Sequence, residues 1–157
     1  LNQSELGVKT NDKMPLFAFN YMKKAFKIHK LEDLRILLLG VSYRSDVGDT
    51  RYSPVEYLYR LCKEEGAAIS LHDPYVGYWD ELKLGVNQDY NSCFSNKIDI
   101  IVISTSHKMY SNSDVLLNYL NKNNKTRVYD TVGILSKKDI KKISLTNKLK
   151  VLGRGDL

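Results

Sequence analysis

No apolar run in this sequence approaches the ~18 residues that a membrane-spanning helix requires, so no membrane partner is expected. Cysteine occurs only at Cys62 and Cys93, spaced neither as a metal site nor as a redox pair. Two thiols in a chain of this size argue against a disulfide scaffold and predict a reducing, cytoplasmic compartment. The three histidines, His29, His72 and His107, lie far apart and on different elements, so no metal site is expected. Each is expected at the surface or in a loop. The dinucleotide fingerprint G-x-G-x-x-G is missing after the first strand, where Gly40 is followed by Val41, Ser42, Tyr43 and Arg44. Internal repeats and low-complexity linkers are also lacking. Nothing at the N-terminus resembles a secretory signal, and the chain opens on Leu1 rather than Met, which predicts a processed product or an excised part of a longer protein.

What is present reads as one globular domain. Hydrophobic residues make up 43% and charged residues 27% of 157, enough apolar side chains to build a core and too few charges for disorder. The net charge of +6 suits either nucleic acid or anionic small ligands. Much of the excess sits at Lys137, Lys138, Lys141, Lys142, Lys148 and Lys150 with no interleaved aromatics, the pattern of a solvated face, and no nucleic-acid partner is expected.

Strand and helix signals alternate. Asn11-Asp12 with Pro15 predicts a helix start, and Met14, Phe17, Ala18, Tyr21, Ala25 and Ile28 recur at helical spacing to about His29. Leu16, Phe19, Met22 and Phe26 add a second apolar flank. Such a helix either touches a sheet on one side and another domain or subunit on the other, or is sunk deeply in its own core. Short apolar runs predict strands over 36–39, 68–72, 83–86, 98–104, 127–129 and 149–152, with 83–86 the least distinct. Helices are predicted over 54–65, 88–95, 114–122 and 137–143. Cys62 falls on the apolar stripe of Val55, Leu58 and Leu61, a core position. Cys93, in Asn91-Ser92-Cys93-Phe94, has no activating neighbour and reads as a buried structural thiol. The alternation implies an α/β fold with a doubly wound parallel sheet.

Residues 35–54 organise the rest. A buried strand ends at Gly40, and a helix begins with Ser53 as cap, Pro54 in the first turn and Glu56 at capping-box spacing. Between them Arg44 and Arg51 bracket Asp46 and Asp49, in the crevice where open α/β sheets bind ligands. Arginine forks pair well with phosphate oxygens. Equally, the two arginines and two aspartates are suited to bracing one another.

The run LLLGVSYRSDVGDTRYSP (37–54), HDPYV (72–76), DIIVISTSHKMY (99–110), YDTVGIL (129–135) and NDKMP (11–15) resembles, in order, the C-terminal domain of the UDP-glucose/GDP-mannose dehydrogenase family. The resemblance implies that residues 1–31 close a helical middle region and that 32–157 form a Rossmann-like nucleotide-sugar-binding domain. It implies an enzyme with an N-terminal NAD-binding domain that oxidises the C6 alcohol of a UDP-sugar through a cysteine thioester, a homodimer when full length, serving surface polysaccharide or glycan synthesis. Neither that cysteine nor the NAD fingerprint is in this sequence, so no catalytic residue is assigned here and the chain alone is expected to be inactive. Tyr43 matches the aromatic lining the nucleotide-sugar site, and Arg44 stands where the family usually has a lysine facing the phosphates. Arg51 matches an arginine reaching towards the cofactor NAD, and Asp46 and Asp49 match acidic positions that brace the arginines. The turn after Tyr129 lacks the arginine of the glucose enzymes. Gly133 there resembles relatives acting on N-acetylated sugars, which favours a UDP-N-acetylhexosamine.

The alternative is a free-standing, non-catalytic nucleotide-binding or scaffold domain. Sequencing the coding region upstream of Leu1 separates the two. A G-x-G-x-x-G turn and a glycine-flanked Cys-Pro element are expected there, and a native start codon at Leu1 would leave the alternative standing.

Overall fold

The computed structural model describes residues 3–154; Leu1 lies outside the described residues. Five parallel strands form one sheet: β1 (Arg35–Leu39), β2 (Ala68–His72), β5 (Ile100–Ile103), β6 (Arg127–Asp130) and β7 (Leu149–Val151), in the order β2-β1-β5-β6-β7. The chain steps from β1 outward to β2, then crosses back to β5 on the other side of β1. The reversal places a crevice at the carboxyl ends of β1 and β5, the topological switch point of a doubly wound sheet.

Alternation along the strands divides the core. Ile36, Leu38, Ile100, Val102 and Tyr129 face the side covered by α1 (Gln3–Ala25) and α2 (Pro54–Glu64). Leu37, Leu39, Ile101, Ile103 and Val128 face α3 (Asp114–Lys122) and α4 (Lys137–Ser144). Because both faces are covered, the central strands β1 and β5 read as continuous apolar runs. Cys62 is fully buried in the first of these layers. The lysines of α4 are exposed, as a solvated face requires.

Several local expectations give way. Helix α1 does not start at Asn11-Asp12; it begins by Gln3 and contains Pro15. Proline removes one interior hydrogen bond without ending a helix, so cap chemistry alone misplaces the start. It ends at Ala25 rather than near His29, because Lys27 adopts a left-handed φ of 55° and Ile28 N–H donates to Lys23 O at 2.8 Å. That is a Schellman-type close with lysine where glycine is usual. Ala18, Phe19, Met22 and Phe26 are buried, whereas Met14, Leu16 and Phe17 stay exposed. Ser53 caps α2 through Val55 N–H, but Glu56 pairs with Arg60 at 2.9 Å instead of completing a capping box. Segment 83–86 does not join the main sheet. Its core, β4 (Leu84–Gly85), pairs antiparallel with β3 (Tyr78–Trp79), because Asn87 rather than a full strand continues beside β2. Segment 88–95 supplies only a 3-10 turn, Asn91–Phe94.

Two features fix the crevice. Gly40 has φ +98°, and a side chain there would collide with Thr105, whose backbone nitrogen lies 2.8 Å from the position a Cβ would take. Only glycine allows β1 to turn this close to the end of β5. The second is Asp73, at the end of β2, which is wholly buried. Its Oδ2 accepts from Val41 N–H (2.9 Å), Ser42 N–H (3.0 Å), Ser42 Oγ (2.8 Å) and His107 Nε2 (2.9 Å), and its Oδ1 accepts from Tyr75 N–H (2.9 Å). Burial alone would push this carboxyl up, but the donors from His107, Tyr75, Val41 and Ser42 outweigh it and hold the group at about 2.

Gly40→Ala is expected to destabilise the chain by roughly 2 to 4 kcal/mol, combining left-handed strain with overpacking, as read by urea unfolding. For Asp73 the folded value lies below the unfolded value of 3.8, so its contribution is full above about pH 4 and is lost as pH falls towards 2. Roughly 2 kcal/mol should disappear over that window, and Asp73→Asn, less stable at neutral pH, should show a shallower acid limb.

Candidate functional site

Three loops meet at the switch point: residues 41–53 after β1, 73–77 after β2 and 104–113 after β5. The first carries the predicted site residues and is tied down at short intervals. Tyr43 N–H donates to Asp49 O at 2.7 Å, closing the loop on itself. Thr105 Oγ1 donates to Ser42 O at 2.8 Å, Ser45 and Ser106 join hydroxyl to hydroxyl, and Thr50 Oγ1 donates to Glu81 at 2.7 Å. Gly48 lets the loop lie against the backbone carbonyl of Tyr75, where any side chain would clash.

The predicted residues separate into two groups. Tyr43 is half exposed, and the exposed Arg44 lies over its ring at 5.9 Å from the centroid, a cation–π pairing that steers the guanidinium along the open face of the loop. Arg51 is clasped by Asp49 through two contacts, Nε to Oδ1 at 3.0 Å and Nη2 to Oδ2 at 2.9 Å. The guanidinium lowers the Asp49 carboxyl to about 2, and the pair remains solvent-facing. Asp46 does not brace Arg44. Its carboxylate accepts from Lys108 N–H at 3.1 Å, because the backbone at φ 56° turns the residue away from the arginines towards the turn after β5. Tyr52, next to Arg51, also holds a left-handed φ of 58° while 88% exposed, an uncommon state for a bulky residue and one that marks a constrained loop.

Two residues central to this geometry escape a local reading. His72 and His107 are fully buried rather than at the surface. His72 Nδ1 lies 2.9 Å from Tyr110 Oη, and burial pushes its imidazole down, keeping the ring neutral. His107 links Asp73 to the backbone of Asp46. The available signal was position: Asp73 and His107 both lie just beyond apolar runs whose carboxyl ends meet at the crevice, where polar residues acquire partners. His29 is exposed as expected. Among the described residues no cluster of ligating side chains suits a metal.

Hollows open at both ends of the sheet. An apolar one of ≈170 Å³ lies between α1, the start of α2 and the strand ends, lined by Met14, Ala18, Val55, Leu58, Ser104 and Val132 among others. A wider cleft of ≈590 Å³, lined by Lys97, Lys122, Lys125, Arg127 and Lys148, opens at the opposite, amino-terminal ends of the strands. Its lysines lie where helix carboxyl ends gather, which balances the helix dipoles and separates that cleft from the loop of Arg44.

The turn after β6 is closed by Asp130, whose carboxylate accepts from the N–H groups of Val132 (3.1 Å), Gly133 (2.8 Å) and Leu135 (2.9 Å). It offers no arginine. Gly133 takes φ +70° there.

Residues 37–137 match the profile described as UDP-glucose/GDP-mannose dehydrogenase family, UDP binding domain. The chain is 32% identical over 147 residues to a UDP-N-acetyl-D-mannosamine dehydrogenase of Methanococcus maripaludis, covering 92% of this chain and 33% of that protein. A protein of the same name from Methanocaldococcus jannaschii is 30% identical, covering 92% of this chain and 32% of the relative. The chain thus spans about a third of the length of these curated relatives. Among solved structures, the NDP-N-acetyl-D-galactosaminuronic acid dehydrogenase of Methanosarcina mazei superposes with a TM-score of 0.80 at 26% identity, over 95% of this chain and 31% of that one. The UDP-D-ManNAc dehydrogenase of Pyrococcus horikoshii shares the fold at a TM-score of 0.70 and 22% identity, over 91% of this chain and 31% of that one. From the extent of the matched segment, this chain belongs to the UDP-glucose/GDP-mannose dehydrogenase family, as its UDP binding domain.

Proposed function

We propose that this chain is the nucleotide-sugar-binding part of an NAD-dependent dehydrogenase that oxidises the C6 alcohol of a UDP-sugar to a carboxylate. The observation that carries the reading is the family match across the very segment that holds Tyr43 and Arg44 on the open face of the crevice loop. In this reading Arg44 faces the diphosphate, Tyr43 lines the sugar-nucleotide site, and Arg51, oriented by Asp49, faces the cofactor. The relatives named for UDP-N-acetyl-D-mannosamine favour a UDP-N-acetylhexosamine as substrate. Residues 1–31 are assigned to the end of a helical middle region, and the exposed Met14, Leu16 and Phe17 to a contact with the rest of the protein or a second subunit of a homodimer.

The chain's own first turn does not fit NAD. In a dinucleotide-binding turn, backbone N–H groups after the first strand face the pyrophosphate. Here the N–H groups of Val41 and Ser42 are both committed to Asp73. Neither thiol is suited to nucleophilic work, since burial pushes Cys62 up to about 12 and Cys93 up to about 11. NAD and the catalytic cysteine are therefore assigned to the two-thirds of the relatives' length that this chain does not span, and the chain alone should not turn over. Cytoplasmic location and a role in polysaccharide synthesis belong to the same reading; no described helix is long and apolar enough to cross a membrane.

Titration calorimetry tests it directly. UDP should bind the chain and NAD should not, and Arg44→Ala should weaken UDP by about 1 to 3 kcal/mol, the range for a charge-assisted hydrogen bond. No UDP binding at millimolar concentration would remove the chain from the role of binding module, and unchanged affinity in Arg44→Ala would take Arg44 out of the diphosphate contact.

A further inference from the structure

The loop that carries Arg44 is tied at its midpoint to a buried ring. Asp46, two residues after Arg44, occupies the left-handed region, and its N–H donates to His107 Nδ1 at 2.8 Å. The other ring nitrogen, Nε2, lies 2.9 Å from Asp73 Oδ2. A carboxylate oxygen that already accepts from Val41 N–H, Ser42 N–H and Ser42 Oγ presents only lone pairs, so the proton between it and the imidazole belongs to Nε2. Nδ1 is then a bare acceptor, which the Asp46 amide requires. The ring cannot turn to satisfy its partners another way. It is fully buried, with the rings of Tyr75 and Tyr110 packed at centroid distances of 5.2 and 5.6 Å.

We propose that His107 is a positioning residue for nucleotide binding, its Nδ1 lone pair fixing the Asp46 backbone so that Tyr43 and Arg44 are presented to the diphosphate before the ligand arrives. The inference rests on the reading of Arg44 given above. Rigid presentation matters because ordering a loop at the moment of binding subtracts from affinity. Other ties, from Ser45 to Ser106 and from Lys108 N–H to Asp46, hold the same stretch, so the effect is graded rather than absolute.

The two ring nitrogens have different duties, and two amide side chains imitate them separately. The oxygen of asparagine falls near the place of Nδ1, so His107→Asn keeps the acceptor for Asp46 and abandons Asp73. The nitrogen of glutamine falls near the place of Nε2, so His107→Gln keeps the donor to Asp73 and abandons Asp46. With UDP as the probe in calorimetry, His107→Gln should bind about threefold to tenfold more weakly, and His107→Asn should stay within about twofold of the unaltered chain, the span of one neutral hydrogen bond. Both should lose stability in urea, so affinity and stability part company. Amide exchange at Asp46 should be slow in the unaltered chain and His107→Asn, and fast in His107→Gln. Equal affinity in the two variants, or losses that simply follow stability, would overturn the proposal. Imidazole 15N shifts of the unaltered chain give a check that needs no variant to fold: they should report Nε2–H and a bare Nδ1, and a proton on Nδ1 would overturn it. Failure of the unaltered chain to bind UDP would instead strike the reading of Arg44, and this inference with it.

Discussion

Everything at the crevice depends on one buried carboxylate. Asp73 draws the ends of β1, β2 and β5 to a single point by offering lone pairs to the backbone of Val41, Ser42 and Tyr75, the hydroxyl of Ser42 and the ring of His107. A buried charge is costly unless its lone pairs are used, and here its satisfaction is also what shapes the loops. The sheet beneath has a driving force of its own, since its central strands β1 and β5 are apolar on both faces. The arrangement of the arginine loop would not.

The division between scaffold and site follows the strands. Their sides are dry and symmetrical, each covered by two helices, and contribute stability through burial. Their carboxyl ends are polar, and there the backbone departs from common conformations: Gly40, Asp46 and Tyr52 all have positive φ within thirteen residues of one another. Such strain is held only because neighbouring hydrogen bonds determine the loop at nearly every position. The amino-terminal ends, by contrast, hold lysines around a cleft whose floor is pinned by Asn147 to the carbonyls of Asn123 and Thr126.

The sheet was largely legible because its cause is local and repetitive. Runs such as 36–39 and 100–103 are apolar at every position, and Gly40 and the capping Ser53 mark where β1 ends and α2 begins. Helix α3 spans Asp114–Lys122, the range its sequence predicts. Segment 83–86 departs from the sequence expectation because two residues of β pattern carry no information about which partner they find; the hairpin with Tyr78–Trp79 is a tertiary choice. At the site, the pairing of Asp49 with Arg51 is a contact between near neighbours and follows from spacing. The partners of Asp46 are not legible locally, because His107 and Lys108 are about sixty positions away in sequence and are brought close only by β1 pairing with β5. The buried histidines failed for the same reason. A lone histidine looks soluble until the sheet supplies a carboxylate or a phenol to meet it.

Asp73 also determines what the crevice will refuse. A carboxyl held at about 2 is a permanent negative charge at any physiological pH, standing beside the two backbone amides that would otherwise welcome a phosphate. The fold thus carries its own anion in the place where a dinucleotide-binding turn admits a foreign one. Any diphosphate that docks here is kept outward, on side chains rather than on backbone, so the contact is made by residues that mutation can retune one at a time. A crevice built this way can change the anion it favours without rebuilding its first turn.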